Sequence, residues 1–388
     1  MPSTHDGNVL GRSVTISDER NGHKMKKIAV LSAALCMLTL MSGCSEKKNS
    51  VMGETKEGLQ YVIDGDSVKI KGYTGSAVEV KIPEKIKGKP VTVIADGAFE
   101  DDSAVESITF PDTILEIGAG AFDTTAWFNN YDGDFVVAGK VIYKYRGNEK
   151  EPKIPDGITA LSDLAFSQNE TIESITLPEA VEKIGSGAFG GCKALKSVTF
   201  SGNLKSIESG VFDSCSALES IKLPDSVESI GAGAFSECSS LKEAVINEGV
   251  KSIGRNAFSK CTSLEKIELP DTLTYLEYFA FSGCTGLKEL KLSNSMEAVD
   301  RMCFSECKSL KEVVIPDSVI QLHMGCFSGC TSLEKITIPA TVSVIAEIQD
   351  TESDKDVFDG CSKLEIITPV DSIAEGYAQA HSIKVTNN

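Results

Sequence analysis

Twelve cysteines are the side chains of this chain best suited to chemistry, and eight of them fall at one recurring position: Cys192, Cys215, Cys238, Cys261, Cys284, Cys307, Cys330 and Cys361. A thiolate can act as a nucleophile or bind a soft metal, and two thiols can oxidise to a disulfide. Cys303 and Cys326 join Cys307 and Cys330 in two C-x3-C pairs on adjacent repeats, which sets four sulfurs close enough to suggest zinc. That spacing is a weaker ligand signal than C-x2-C. Cys303 and Cys326 also stand where other repeats carry alanine, and free cysteine commonly serves as a small buried hydrophobe. Disulfides between repeats are disfavoured as well. Equivalent side chains on stacked parallel strands keep their Cβ atoms near the ~4.8 Å strand spacing, whereas a disulfide prefers about 3.8 Å. A column of buried free thiols and no metal is the expectation.

Other chemistry is hard to assemble. After residue 43 only His323 and His381 remain, neither in an H-E-x-x-H pair, and no G-x-S-x-G elbow occurs. His323 takes a position that is glycine in another repeat, Gly231, and reads as a surface variation. A G-x-G-x-x-G match at Gly185, Gly187 and Gly190 is the repeat's own pattern, outside any nucleotide-binding βαβ unit. Asp350, Glu352, Asp354 and Asp356 alternate like the start of an EF-hand loop. Its sixth position is Lys355 instead of glycine and its twelfth is Cys361 instead of glutamate, so calcium is not expected. Carboxylates elsewhere alternate with lysines. No catalytic residue and no cofactor is assigned.

The elements that position these side chains follow from a fixed period. Phenylalanines stand at 166, 189, 212, 235, 258, 281, 304 and 327, always 23 residues apart. Such a period marks a solenoid, in which one supersecondary unit stacks repeatedly because it cannot bury its apolar face alone. In the unit beginning at Ala217, the residues Leu218, Ile221, Leu223, Val227, Ile230, Ala234, Phe235 and Cys238 form the predicted core. Leu-x-x-Ile-x-Leu reads as a short half-buried strand ended by Pro224, which cannot donate to a ladder. Val227 and Ile230 open a second extended segment. Gly231 permits the bend before a short 3₁₀ or helical turn at Gly-Ala-Phe.

Residues facing outward from the strands carry the surface. One row runs Glu173, Lys196, Glu219, Lys242, Glu265, Lys288, Lys311 and Glu334, mostly of alternating sign, which favours the correct register by roughly 0.2–1 kcal/mol per pair. The central row reads Thr176, Thr199, Lys222, Val245, Glu268, Lys291, Val314 and Thr337. It is a shallow mixed surface suited to a broad protein contact. A small molecule usually needs a concave apolar pocket.

The pattern L-x-x-I-x-[LI]-P-x-x-V-x-x-I-G-x-x-A-F-x-x-C, as in Leu218 to Cys238 and more loosely Leu264 to Cys284, resembles the BspA-like class of bacterial leucine-rich repeats. The resemblance implies a β-rich (α/β) leucine-rich-repeat solenoid over 98–361, with parallel strands on one face and short turns on the other. An N-terminal cap is expected over 57–97 and a C-terminal cap over 362–388. It also implies surface-exposed recognition, in adhesion or in binding proteins of a host or neighbouring cell.

One stretch departs from the rhythm. Between Phe122 and Phe166 the spacing is 44, and an insertion at 123–150 reads as a hairpin with strands at Phe135–Val137 and Val141–Tyr145. Trp127, Tyr131 and Tyr143 lie there and offer an alternative aromatic ligand platform. The simpler expectation is that these rings fill a wedge in the core.

The start of the chain reads as an address. Lys24, Lys26 and Lys27 precede an apolar run, Ile28 to Leu40, that is too short to span a bilayer. Residues 25–43 then form a signal peptide and 1–24 an upstream extension. Leu40-Met41-Ser42-Gly43-Cys44 resembles the lipobox of bacterial lipoproteins, which implies acylation of Cys44 and a tether over 44–56. Losing residues 1–43, with five Lys or Arg and three Asp or Glu, would take the formal charge from −18 to −20. So acidic a body disfavours nucleic acid, which offers it no counterion release. The expected protein is a monomer held to a bacterial envelope by its lipid alone, non-catalytic, binding a protein partner with basic patches. The alternative is an envelope-associated structural or carbohydrate-capturing lipoprotein that uses Trp127.

Overall fold

The structure is a computed structural model that describes residues 50–346 and 356–388. Cys44, the signal region and Asp350, Glu352 and Asp354 of the acidic loop lie outside the described residues. Everything below belongs to the unit Asn49–Asn388.

Each repeat contributes two short strands, and equivalent strands of successive repeats pair in parallel. The first column includes Ser220–Lys222, Glu243–Val245, Lys266–Glu268 and Glu289–Lys291 in one ladder. Glu312–Val314, Lys335–Thr337, Glu365–Thr368 and Lys384–Asn387 form another. The second column is built of two-residue strands such as Ser206–Ile207, Ser229–Ile230 and Ser252–Ile253. This is the repeat solenoid expected from the period.

The core is a stack of phenylalanines. From Phe166 to Phe358 consecutive rings lie 4.9 to 6.0 Å apart, and most planes are within about 15° of parallel. Around them Leu218, Ile221, Leu223, Val227, Ile230, Ala234 and Cys238 are buried as predicted. Burying one such large apolar side chain is worth about 1.5–3 kcal/mol. The turns stay short for a reason visible in the hydrogen bonds. Ala234 N–H donates to Gly231 O, closing one turn, but Phe235 N–H donates to Ala257 O of the next rung at 2.7 Å. A donor committed across rungs cannot extend a helix.

Gly231 plays a different part from the bend assigned to it. Its φ is not positive; a Cβ there would lie 2.7 Å from the backbone of Glu208 and Ser209, so glycine is needed for close approach of rungs. The left-handed residues of that unit are Gly233, at φ 62°, and Glu237, at φ 58°.

The insertion is a hairpin, Phe135–Ala138 against Val141–Tyr145, and also a rung of the solenoid. Val141 and Ile142 pair in parallel with Ala160 and Leu161, and these in turn with Lys183 and Ile184. Tyr145 stacks on Phe166 at 5.2 Å, and its N–H donates to Ala165 O. It therefore takes the place of a phenylalanine, 23 residues after Phe122.

Both ends are sealed. Val51–Glu54, expected within the tether, instead pairs antiparallel with residues 60–63 as an edge strand of the sheet of Leu59–Asp64 and Ser67–Tyr73. Ser67–Tyr73 then pairs in parallel with Lys89–Ile94, and Tyr73 stacks on Phe99 at 5.4 Å. At the other end the helix Ile373–Ala380 is capped by Ser372, whose hydroxyl accepts from Glu375 N–H at 3.1 Å. It buries Ala374, Tyr377 and Ala378, and Tyr377 closes the stack edge-on to Phe358.

Candidate functional site

The strand-lined face presents the central row in register. Thr176 lies opposite Thr199, Lys222 opposite Val245, Glu268 opposite Lys291 and Val314 opposite Thr337. All are exposed except Thr337, which is half-buried, and Val314 is 65% exposed although it is apolar. The alternation that buries Ile221 and Ile336 turns Lys222 and Thr337 outward. Among the described residues Lys222 and Lys291 form no ion pair. Glu268 is held 2.8 Å from Lys266, which lowers its carboxyl pKa.

The flanking charge row is a true ladder. Lys242 N–H donates to Glu219 O, and Lys288 N–H to Glu265 O, while the side chains pair across the same steps at 3.7 and 3.1 Å. Glu173 is clasped by Lys150 at 2.5 Å and Lys196 at 2.6 Å, and these bonds pull its carboxyl down to about 2. Lys288 to Lys311 is the one like-charged step of the seven in this row, and the two long ladders of the first column part at that step.

The aromatic insertion is packed inward. Trp127 is half-buried, with ring centres of Phe110, Phe122, Tyr131 and Tyr143 at 5.3, 5.2, 5.8 and 6.5 Å. Tyr143 is buried; its hydroxyl donates to Asp123 and accepts from Phe122 N–H, and burial drives its pKa upward. Tyr131, half-buried, accepts from Val137 N–H. Arg146 lies over the Phe128 ring at 3.9 Å. The rings that a sugar would need are largely engaged with one another.

All ten cysteines of the described residues are buried and free. In the column each thiol donates to the carbonyl of the phenylalanine one rung earlier, as Cys238 does to Phe212 at 3.2 Å and Cys284 to Phe258 at 3.1 Å. Asn169 occupies the same position and does the same work, donating to Gly147 O at 3.0 Å. Burial pushes these thiols up, Cys192 to about 11 and Cys284 to about 12. They are poor nucleophiles. Among the described residues no group of three or more His, Cys, Asp or Glu is placed to hold a metal ion.

Two clusters were not picked out in the sequence reading. In the C-terminal cap His381 Nε2 lies 2.9 Å from Asp356 Oδ2, its ring stacks on Tyr377 at 4.1 Å, and the Tyr377 hydroxyl donates to Asp356. They line a hollow of about 800 Å³. These contacts tie the cap to Asp356. Tyr377 and His381, four apart on a helix, were the available signal. The second cluster, around Arg255 and Tyr278, replaces small residues on the turn side.

Comparison with known families decides the classification. A BspA type leucine rich repeat region, in six copies, matches residues 73–132, 138–265 and 251–375. The chain belongs to this family. Among solved structures it is similar to a leucine rich cell surface protein of Faecalibacterium prausnitzii A2-165, at 23% identity over 84% of this chain and 97% of that one, with a TM-score of 0.38. A leucine-rich repeat protein of Bacteroides ovatus ATCC 8483 is 23% identical over 87% and 98%, with a TM-score of 0.41. The pneumococcal vaccine antigen PcpA is 20% identical over 87% and 98%, with a TM-score of 0.40. No curated protein matches the chain. No helix of the described residues is long and apolar enough to cross a membrane.

Proposed function

We propose that this repeat protein is a surface-anchored, non-catalytic module that binds a protein partner through its strand-lined face. The observation that carries the reading is the exposed central row, in which Lys222, Lys291, Val245 and Val314 stand outward on a rigid parallel ladder. A stiff, shallow surface loses little conformational entropy on contact, which suits a broad protein interface better than a small molecule. The cell-surface description of the Faecalibacterium relative agrees with display outside the cell. Acylation of Cys44 would supply the anchor, more than one acyl chain being needed for durable attachment.

Two experiments test these statements. The soluble chain, residues 51–388, immobilised and offered extracellular-matrix and bacterial-surface proteins at low and high salt, should retain a saturable, salt-sensitive protein partner. Retention only of glycans, lost on deletion of residues 123–150, would replace this reading with carbohydrate capture by the Trp127 insertion. For the anchor, cells fed a labelled fatty acid should incorporate it into the wild-type chain and not into Cys44→Ala. Equal labelling of both would refute lipidation at Cys44.

A further inference from the structure

Over its middle rungs the first strand column closes only at every second step. Ser174–Thr176 pairs with Ser197–Thr199, Ser220–Lys222 with Glu243–Val245, and Lys266–Glu268 with Glu289–Lys291, each along its whole length. Between these couples the ladder fails. Ser197–Thr199 does not pair with Ser220–Lys222, nor Glu289–Lys291 with Glu312–Val314, and Glu243–Val245 meets Lys266–Glu268 only at Glu243 and Lys266. The residue after each strand shows the same alternation. Leu177, Leu223, Leu269 and Ile315 N–H donate to Thr199, Val245, Lys291 and Thr337 O of the next rung, at 2.9 to 3.2 Å. Their counterparts Phe200, Ile246 and Leu292 donate to no acceptor among the described residues.

The sequence accounts for the alternation. Proline follows the strand in the rungs that close forward, at 178, 224, 270 and 316, whereas Ser201, Asn247 and Ser293, 46 residues apart, stand there in the others. All three are buried, and each side chain bonds back to the preceding rung. Ser201 Oγ donates to Val181 O, Asn247 Nδ2 to Pro224 O at 2.7 Å and Ser293 Oγ to Leu273 O at 2.7 Å. Rungs are therefore clasped in couples, and the step beyond each couple stays open. Val198, Phe200, Ile246 and Leu290 are half-buried at these steps, where Ile175, Leu177, Ile221 and Leu223 of the closed rungs are buried. Three backbone donors with apolar side chains beside them thus recur every two rungs, about 10 Å at the parallel-strand spacing.

We infer that the strand face takes a polypeptide segment in the polyproline II conformation, whose carbonyls meet the Phe200, Ile246 and Leu292 N–H groups in turn. This rests on the strand-face reading above and names the kind of chain it binds. Polyproline II repeats every three residues, about 9.3 Å, and has no internal hydrogen bonds, so a free carbonyl faces the same way once per turn. The other regular conformations fit less well. An extended strand brings equivalent groups round every second residue, about 6.7 Å, and an α-helix spends its carbonyls internally. A preformed polyproline II segment loses little entropy on docking, and its rings pack on apolar and aromatic side chains such as Phe200.

The test titrates oligoprolines of about four, seven and ten residues into the chain by calorimetry, with a Gly/Ser peptide of the middle length as control. Affinity should rise at least about tenfold as the third step is reached and then level, and the control should not bind. Hydrogen exchange read by NMR should show the Phe200, Ile246 and Leu292 amides faster than Leu177, Leu223 and Leu269 in the free chain, and all three slowed by the peptide. The variant Ser201→Pro, Asn247→Pro and Ser293→Pro installs the residue of the closed rungs, and the N–H groups that it removes carry no bond among the described residues. Folded by circular dichroism, it should bind the longer peptides at least about tenfold more weakly. No oligoproline binding, binding that leaves the three amides unprotected, equal affinity in the folded variant, or capture of a polysaccharide in place of peptides would each overturn the inference. Should oligoproline fail to bind while a captured protein partner is still lost on Lys222→Glu with Lys291→Glu, this inference falls and the strand-face reading stands. Insensitivity of that partner to both reversals removes the reading itself.

Discussion

Phe258→Ala tests whether the ring stack is what holds the solenoid together. Phe258 is wholly buried between Phe235 and Phe281, 5.1 Å from each, so truncation empties one layer and removes two ring contacts. Buried Phe→Ala changes cost about 3–5 kcal/mol, transfer and cavity terms together. Each ring pair is worth about 0.5–1.5 kcal/mol beyond burial, which places this site at the upper end. Urea unfolding followed by circular dichroism should show a midpoint lowered by about 4 kcal/mol divided by the slope, provided that the slope is unchanged. Lys222→Ala, on the exposed row, should stay within about 0.5 kcal/mol of wild type. In a linear array stability is a sum over neighbouring rungs, so a break there should also uncouple the two ends. Trp127, which lies before the break, then reports a transition separate from the dichroism change. A Phe258→Ala loss no larger than that of Lys222→Ala would refute the reasoning.

Other expectations follow from the same structure. The ten buried thiols should resist iodoacetamide in the folded protein and all react in denaturant; rapid alkylation of any one under native conditions would contradict the buried column. Glu173 has its carboxyl lowered from 4.5 to about 2 by Lys150 and Lys196, so the stabilisation is present above its ordinary pKa and is lost as pH falls toward 2. Glu173→Gln should flatten the acid limb of stability in that window, and an unchanged limb would show the pairs to be inert. Ser214 sits at φ 60° where other repeats carry Gly191, Gly283 and Gly329, so Ser214→Gly should raise stability by up to about 1 kcal/mol. A loss in thermal or urea unfolding would mean that glycine's chain entropy prevails.

Much of this fold was legible because a solenoid repeats its physics. The Phe and Cys columns, the Leu-x-x-Ile-x-Leu strand and the outward rows could be read from one unit, since each position meets its own equivalent on the next rung. The insertion was legible only in part. Tyr145 stands 23 residues after Phe122 and preserves the period, but a tyrosine in a phenylalanine column is easily passed over beside a hairpin turn. Val51–Glu54 was obscured by its place after a polar stretch, as an edge strand declares itself only through its partner. Gly231 and Gly233 look alike in sequence, and only backbone geometry separates close approach from positive φ. As for the site, the central row could be located from alternation alone. Arg255 and Tyr278 could not, because their contact is made only across stacked rungs.

The binding role of the strand face is tested most directly by measuring, for the protein partner captured from the surface and matrix set, the affinity of wild type against Lys222→Glu with Lys291→Glu. Both lysines are exposed on the central row, so reversal should leave the fold intact; set against carboxylates of the partner at this row, while the partner's basic patches meet the acidic remainder of the surface, the reversed pair should weaken binding at least about tenfold. Undiminished affinity in a folded double variant would contradict the assignment of that face as the contact surface.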